Sequence, residues 1–186
     1  MLLFVGLGNP TPDSENNRHN VGFKIIDAIN KKFSLSKQKP KFKGLLTTGK
    51  IEGEKVYAIK PLTFMNNSGI CIRELLEYFK FDAENVIVFH DDLDIEFGKI
   101  KAKFGGSNAG HNGIASIDKF IGKDYSRVRV GIGKPKTPIE IGDYVLQNFD
   151  EEELVGIDKI SNNITESIGD LIKKKLDLFS STVNNK

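Results

Sequence analysis

Short apolar runs of strand length alternate along this chain with apolar stripes of helical spacing, and this alternation restricts the fold more than any single residue does. Leu2 to Leu7, Leu45 to Ile51, Lys55 to Lys60, Val86 to Phe89, Ile100 to Phe104 and Val128 to Ile132 read as strands. Between them, Ile25, Ile26, Ile29 and Phe33 share one helical face. So do Ile72, Leu75, Leu76 and Phe79, and later Ile114, Ile117, Phe120 and Ile121. From Asp150 the pattern is helical to about Phe179, with Gly156 and Gly169 as weak points where one helix can become two. Glu52-Gly53-Glu54 links two extended runs into a hairpin, Pro135 and Pro138 mark a loop, and Ser180 to Lys186 reads as a frayed tail. The expectation is an α/β chain with a mixed central sheet flanked by helices, one domain over residues 1–186 without internal repeats.

A chain of 186 residues can bury a substantial core, and 39% hydrophobic with 28% charged residues suits an ordinary globular protein. The formal net charge of +2 is too small for a general polyanion binder, so any nucleic-acid contact must come from a local patch. The single cysteine, Cys71, excludes an intrachain disulfide and sits within an apolar helix pattern, which makes it core rather than nucleophile. Met1 to Val5 is too short for a signal peptide or a membrane span and has no basic region before it. The expected location is the cytoplasm.

Chemistry concentrates in a few separated polar clusters. The chain has three histidines, and each lies in one: Asn17-Arg18-His19-Asn20, His90-Asp91-Asp92-Leu93-Asp94 and Gly110-His111-Asn112-Gly113. His19 reads either as a polar residue at a helix start or as a general base, since an imidazole with an ordinary pKa near ~6.5 can take a proton from water at neutral pH. A base of that kind works better when a carboxylate accepts its other ring N–H, and Asp91 is the partner expected for it. The cluster from His90 to Asp94 could also bind a divalent ion, but neighbouring side chains on an extended chain point to opposite faces, and no second histidine-rich segment supplies ligand spacing. No metal site is expected, and His111 reads as a loop histidine.

Asn9, Asn20, Asn66 and Asn112 each offer a donor and an acceptor without net charge, which suits holding a peptide amide or a carbonyl on which charge develops. Singly, each reads as a turn or cap. Beside His19 and Asp91 they suit a hydrolytic site that uses water directly. Two familiar motifs fail on detail. Gly6-Leu7-Gly8-Asn9-Pro10-Thr11 lacks the third glycine of a dinucleotide fingerprint, and Gly105-Gly106-Ser107-Asn108-Ala109 ends in alanine where a nucleophile elbow needs glycine.

Across nearly its whole length the chain resembles the bacterial-type peptidyl-tRNA hydrolases. The resemblance rests on Gly6 to Pro10, Arg18 to Phe23, Lys60 to Gly69, His90 to Asp94, Gly110 to Gly113 and Arg127 to Gly133, in family order. It implies cleavage of the ester between a peptide and the 3′-terminal ribose of tRNA by a monomeric enzyme without metal or organic cofactor. By matching positions, His19 would activate water and Asp91 would orient it. Asn9, Asn66 and Asn112 would hold the peptide, the terminal nucleotide or the reacting carbonyl, with Phe64 and Met65 at the pocket wall. On residue type alone, Phe64 and Met65 read as a buried apolar pair. Lys103 and Arg129 fall where the family binds the tRNA 5′ phosphate, with Lys101 assisting; without the resemblance, these lysines read equally as a solvated face.

The first loop departs from the family pattern, with Thr11 and Ser14 where glycine and tyrosine are common and Asn17 in place of a frequent threonine. That puts the packing of the loop in question. Two other classes remain open. One is a binding protein of the same fold that keeps the RNA surface without turnover, like the organellar splicing factors that resemble these hydrolases. The other is a metal-dependent phosphohydrolase.

Overall fold

The computed structural model describes residues 1–186. Its strands are β1 (Leu2–Gly6), β2 (Lys39–Lys41), β3 (Gly44–Ile51), β4 (Glu54–Pro61), β5 (Val86–Asp92), β6 (Ile100–Phe104) and β7 (Ser126–Gly131). The helices are α1 (Val21–Lys32), α2 (Ser68–Phe79), α3 (Asn112–Ile121), α4 (Ile141–Val145), α5 (Glu151–Glu166), α6 (Ile168–Ile172) and α7 (Leu176–Asn184). One seven-stranded sheet runs in the order β2-β3-β4-β1-β5-β7-β6. β1 pairs in parallel with β4 and β5, and β5 with β7, while β3 and β6 are antiparallel to their neighbours. The mixed α/β sheet flanked by helices is therefore as expected.

Both faces of the sheet are covered, which explains why β1 and β5 are continuous apolar runs rather than alternating ones. Phe4, Phe89, Val128 and Val130 pack on one side with residues of α1, α5 and α7. Leu3, Val5, Val88 and Val86 pack on the other with α2 and α3. The carboxyl ends of β1, β4, β5 and β7 lie together at one edge of this sandwich, where loops can converge on a rigid base. Two glycines bring α1 down onto that edge. A Cβ at Gly22 would lie 2.4 Å from Leu7 N and from Phe89 O, and one at Gly6 would lie 2.2 Å from Gly22 O. With neither present, the 3₁₀ turn Arg18–Asn20 just before α1 is held at the end of β5.

Several elements differ from the sequence expectation. β5 continues three residues beyond Phe89, so His90 and Asp91 lie within the strand and are buried. Polar side chains at a strand's end are tolerated there because the ladder to β7 persists, pairing Asp91 with Val130 and Asp92 with Gly131. β2 has no apolar signal, being an exposed Lys-Pro-Lys edge strand that leads into Phe42 and Lys43, both at positive φ (54° and 58°). The turn conformation that suits Asn-Gly is here adopted by two bulky residues, at about 1–2 kcal/mol each. Lys43 meets Glu74, and Phe42 packs on Tyr78 and Phe79.

The loop expected after Pro138 contains α4. Gly156 does not break α5, because the space its missing Cβ leaves is taken by the Phe97 ring at 2.8 Å. The breaks come at Ser167, close to Gly169, and near Lys174, whose φ is +60°. The tail is not frayed. α7 runs to Asn184, whose side chain accepts from Ile100 N and donates to Ile100 O at 2.9 Å, while Ser180 Oγ accepts from Ala102 N at 2.8 Å. Side chains thus pair the open edge of β6 as another strand would, which shields it from intermolecular pairing. No helix is long and apolar enough to cross a membrane.

Candidate active site

All three histidines converge on Asp91. His19 Nδ1 lies 2.9 Å from both carboxylate oxygens of Asp91, and His111 Nε2 lies 2.9 Å from Oδ1. The His111 ring is 5.0 Å from that of His19 and 4.9 Å from that of His90. His90 Nδ1 donates to the carbonyl of Asp91 at 2.8 Å. His111 is thus no ordinary loop histidine; sequence alone missed its contact because the partner is 20 residues away. Its only local signal was a polar residue preceding an apolar helical stripe, the pattern of a helix cap.

Burial acts on these groups in opposite senses. For Asp91 it raises the carboxyl pKa, but the facing His111 and His19 rings outweigh it and hold the group well below the usual carboxylate range. For His90, burial first and the His111 ring second push the imidazole down to about 3, so it is neutral. Asp92, one residue on, turns to the other face of the strand and pairs with Arg129 Nε at 2.7 Å. Asp91 and Asp92 therefore do not converge, as the alternation of a strand requires.

The ligand-capable atoms of His19, Asp91 and His111 lie within 4.8 Å of one another. The donor chemistry does not suit a cation, however. His111 Nδ1 accepts the backbone N–H groups of Gly113 and Ile114 at 3.1 and 3.2 Å, so the ring proton occupies Nε2, the nitrogen that faces Asp91.

His19, Asp91, His111 and Asn112 line a cleft of about 650 Å³ whose far wall includes Leu93, Pro135, Ile141 and Val145. Lys134 and Asp94 also line it and approach each other to 3.7 Å. Asn9 is not part of that lining. It is tied to the turn that carries His19, where Asn20 Oδ1 accepts from Asn9 N and Asn20 Nδ2 donates to Asn9 O, both at 2.9 Å. Asn9 Oδ1 in turn accepts from Met65 N at 2.9 Å. Asn9 therefore ties the first loop to the segment preceding α2, and the amide donors of its side chain are left for another partner.

Met65 is buried against Gly113, where a Cβ would lie 2.5 Å from its sulfur. Asn66 is exposed. Phe64 is 52% exposed, which removes the buried-pair reading, and it holds φ +67° with ψ 155°, a region almost reserved for glycine.

Arg18 is a positioning residue that sequence reasoning passed over. Its guanidinium stacks 4.4 Å from the Tyr144 ring centroid and bonds Glu153 at 3.1 Å, so the turn carrying His19 is anchored to α4 and α5. The departures in the first loop are compensated by polar contacts. Thr11 and Ser14 share a hydroxyl hydrogen bond of 2.6 Å, and Asn17 Nδ2 donates to Asn148 Oδ1 at 2.7 Å. Cys71 is buried, and burial followed by the nearby Glu74 pushes its thiol up to about 12, consistent with a core residue.

Lys101, Lys103 and Arg129 lie away from the cleft. Lys101 stands opposite Arg129, and Lys103 opposite Arg127, across the β6–β7 ladder. Lys103, Arg127 and Arg129 line a hollow of about 110 Å³ together with His90 and Asp92. Arg127 is buried and committed to Asp118 at 3.0 Å and to Ser107 O at 2.9 Å.

A family model described as peptidyl-tRNA hydrolase matches residues 3–186. The chain belongs to the peptidyl-tRNA hydrolase family. A peptidyl-tRNA hydrolase of Pelagibacter ubique is 78% identical over 186 residues, the full length of both chains. That of Ehrlichia canis is 44% identical over 183 residues, covering 98% of this chain and 94% of the relative. The crystal structure of peptidyl-tRNA hydrolase from Acinetobacter baumannii aligns with a TM-score of 0.91 at 31% identity, over 99% of this chain and 94% of that one.

Proposed function

We propose that this hydrolase cleaves the ester joining a peptide to the 3′-terminal ribose of tRNA, with His19 taking a proton from the attacking water. The observation that carries the reading is the pair of 2.9 Å contacts between His19 Nδ1 and the Asp91 carboxylate at the edge of an open cleft. Donation from Nδ1 to Asp91 leaves the lone pair on Nε2. Water gives its proton to Nε2 as its oxygen bonds to the ester carbon, and Asp91 stabilises the imidazolium that forms. In this reading the tetrahedral oxyanion is met by neutral amide donors, drawn from Asn112 on the cleft wall and from the side-chain N–H groups that Asn9 leaves unused. Collapse returns the proton to the ribose oxygen as the acyl bond breaks.

In the same reading Asn66 and Phe64, both exposed, hold the terminal nucleotide or the peptide, and buried Met65 supports their segment. Lys103 and Arg129, with Lys101 beside them, take the 5′ phosphate of the tRNA. Arg127 and Arg129 already have carboxylate partners in Asp118 and Asp92, so exposed Lys101 and Lys103 are the cations left to meet a phosphate. The enzyme works as a monomer without a cofactor and away from any membrane.

Purified protein given peptidyl-tRNA should release free peptide and intact tRNA. His19→Ala should lower turnover by about 10²-fold or more and leave tRNA affinity nearly unchanged. Binding without ester cleavage by the unaltered protein would leave only an RNA-binding role, and near-normal turnover by His19→Ala would remove it from the base position.

A further inference from the structure

His111 uses both nitrogens of one ring. As the N-cap of α3 its Nδ1 accepts from Gly113 N and Ile114 N, and its Nε2 faces Asp91 Oδ1 at 2.9 Å. A nitrogen that accepts two amide hydrogens bears a lone pair, so the proton resides on Nε2 and is donated to the carboxylate. Adding a second proton to the ring would destroy the cap. The fold therefore supplies Asp91 with a neutral N–H donor whose tautomer is set by a helix terminus.

We propose that His111 is a positioning residue that limits how tightly Asp91 holds the proton on His19. The inference rests on the reading of His19 as the water-activating base. A buried carboxylate with one imidazole partner binds the imidazolium strongly and favours a base that is already protonated. A second, uncharged donor on Oδ1 satisfies part of the carboxylate's demand without adding charge, and so weakens its pull on the neighbouring imidazole. The same bond fixes the carboxylate plane, keeping both oxygens within 2.9 Å of His19 Nδ1.

No unpaired charge in the surroundings does this instead. Arg18, the neighbour of His19 in its turn, pairs with Glu153 of α5. On β5, Asp92 pairs with Arg129 of β7, and His90 is buried. Across the cleft, Lys134 pairs with Asp94.

His111→Ser separates the two roles, because a serine oxygen can cap α3 but offers no N–H to Asp91. The expected result is an acid limb of the kcat/KM profile moved to higher pH by about half a unit to one unit. Activity should return to within about threefold of the unaltered enzyme at alkaline pH, with little change in melting temperature. A loss of rate that is the same at every pH would overturn the proposal and leave His111 a structural cap only. His111→Thr, a second capping residue without a side-chain N–H, serves if the serine variant folds poorly.

One measurement is independent of turnover. ¹⁵N NMR of the unaltered protein should show His111 as the Nε2–H tautomer across neutral pH; an Nδ1–H tautomer would overturn the proposal. If His19→Ala keeps its turnover while the tautomer is as expected, the fault lies with the base assignment rather than with the geometry of His111.

Discussion

Asp91 and Asp92 are adjacent carboxylates on one strand, both buried, and they have opposite kinds of partner. Asp91 turns toward the cleft and meets two imidazoles, whereas Asp92, which also borders the cleft, commits its carboxylate to the guanidinium of Arg129. A guanidinium is permanently charged, so Asp92 is committed to an ion pair that does not change during a reaction. An imidazole can gain and lose a proton near neutrality, so the electrostatic energy of Asp91 changes with the state of its neighbour. One step along a strand thus separates a group able to take part in proton transfer from one that anchors a basic surface.

Asp91→Asn should give the largest effect. An amide there presents its N–H to His19 Nδ1 and favours the tautomer with no lone pair toward the ester, so turnover should fall by roughly 10²- to 10³-fold. Steady-state kinetics on peptidyl-tRNA measure this, and a loss under tenfold would break the contrast between the two aspartates. Asp92→Asn should leave kcat within about threefold while altering the salt dependence of tRNA binding, since Arg129 loses its counter-charge. A kcat loss matching that of Asp91→Asn would show that the faces are not separable. Lys103→Ala should act on binding alone, lowering the slope of log affinity against log salt by about one, and an unchanged slope would remove Lys103 from the phosphate surface.

The smallest effect is on acid stability. His90 is neutral in the fold, pushed down to about 3 by burial and then by His111, while an unfolded imidazole titrates near ~6.5. Between those values the unfolded chain binds a proton that the native protein does not. Its contribution to stability is thus complete above about pH 6.5 and declines as pH falls toward 3. Asp91, held below the usual carboxylate range, contributes fully above about pH 4 and loses that contribution only under stronger acid. Urea unfolding between pH 7 and 4.5 therefore contains the His90 contribution and excludes that of Asp91, and His90→Asn should flatten the decline there. An identical slope in the variant would assign the pH dependence elsewhere.

The parts of the fold visible in sequence were those where one physical signal acts over a short stretch. β1, β3, β4 and β6 are apolar or hairpin-bounded runs, and α1, α2 and α3 carry single apolar stripes, so burial and local geometry agree. β2 was invisible because an exposed edge strand is held by backbone pairing to β3 rather than by its own side chains. The docking of α7 on β6 was equally hidden, since Ser180 and Asn184 have polar side chains whose partners are backbone groups 78 and 84 residues away. Gly156 looked like a helix break and is instead a packing site, because the advantage of seating the Phe97 ring exceeds the roughly 1 kcal/mol lost in helix propensity.

For the site, sequence by itself determined the chemical inventory: one imidazole beside amides in a first loop, a carboxylate at the end of an apolar strand, and lysines and arginines alternating along two later strands. Residue type and local spacing carry that information. Only the tertiary structure decided how the inventory divides. The parallel pairing of β1, β5 and β7 and the glycine-permitted approach of α1 bring His19 to Asp91 across 72 residues. The start of α3 then turns His111, unremarkable in sequence, into a second partner for the same carboxylate. Contacts between distant segments depend on sheet order and helix placement, and those are settled by the burial of the whole core rather than by any segment alone.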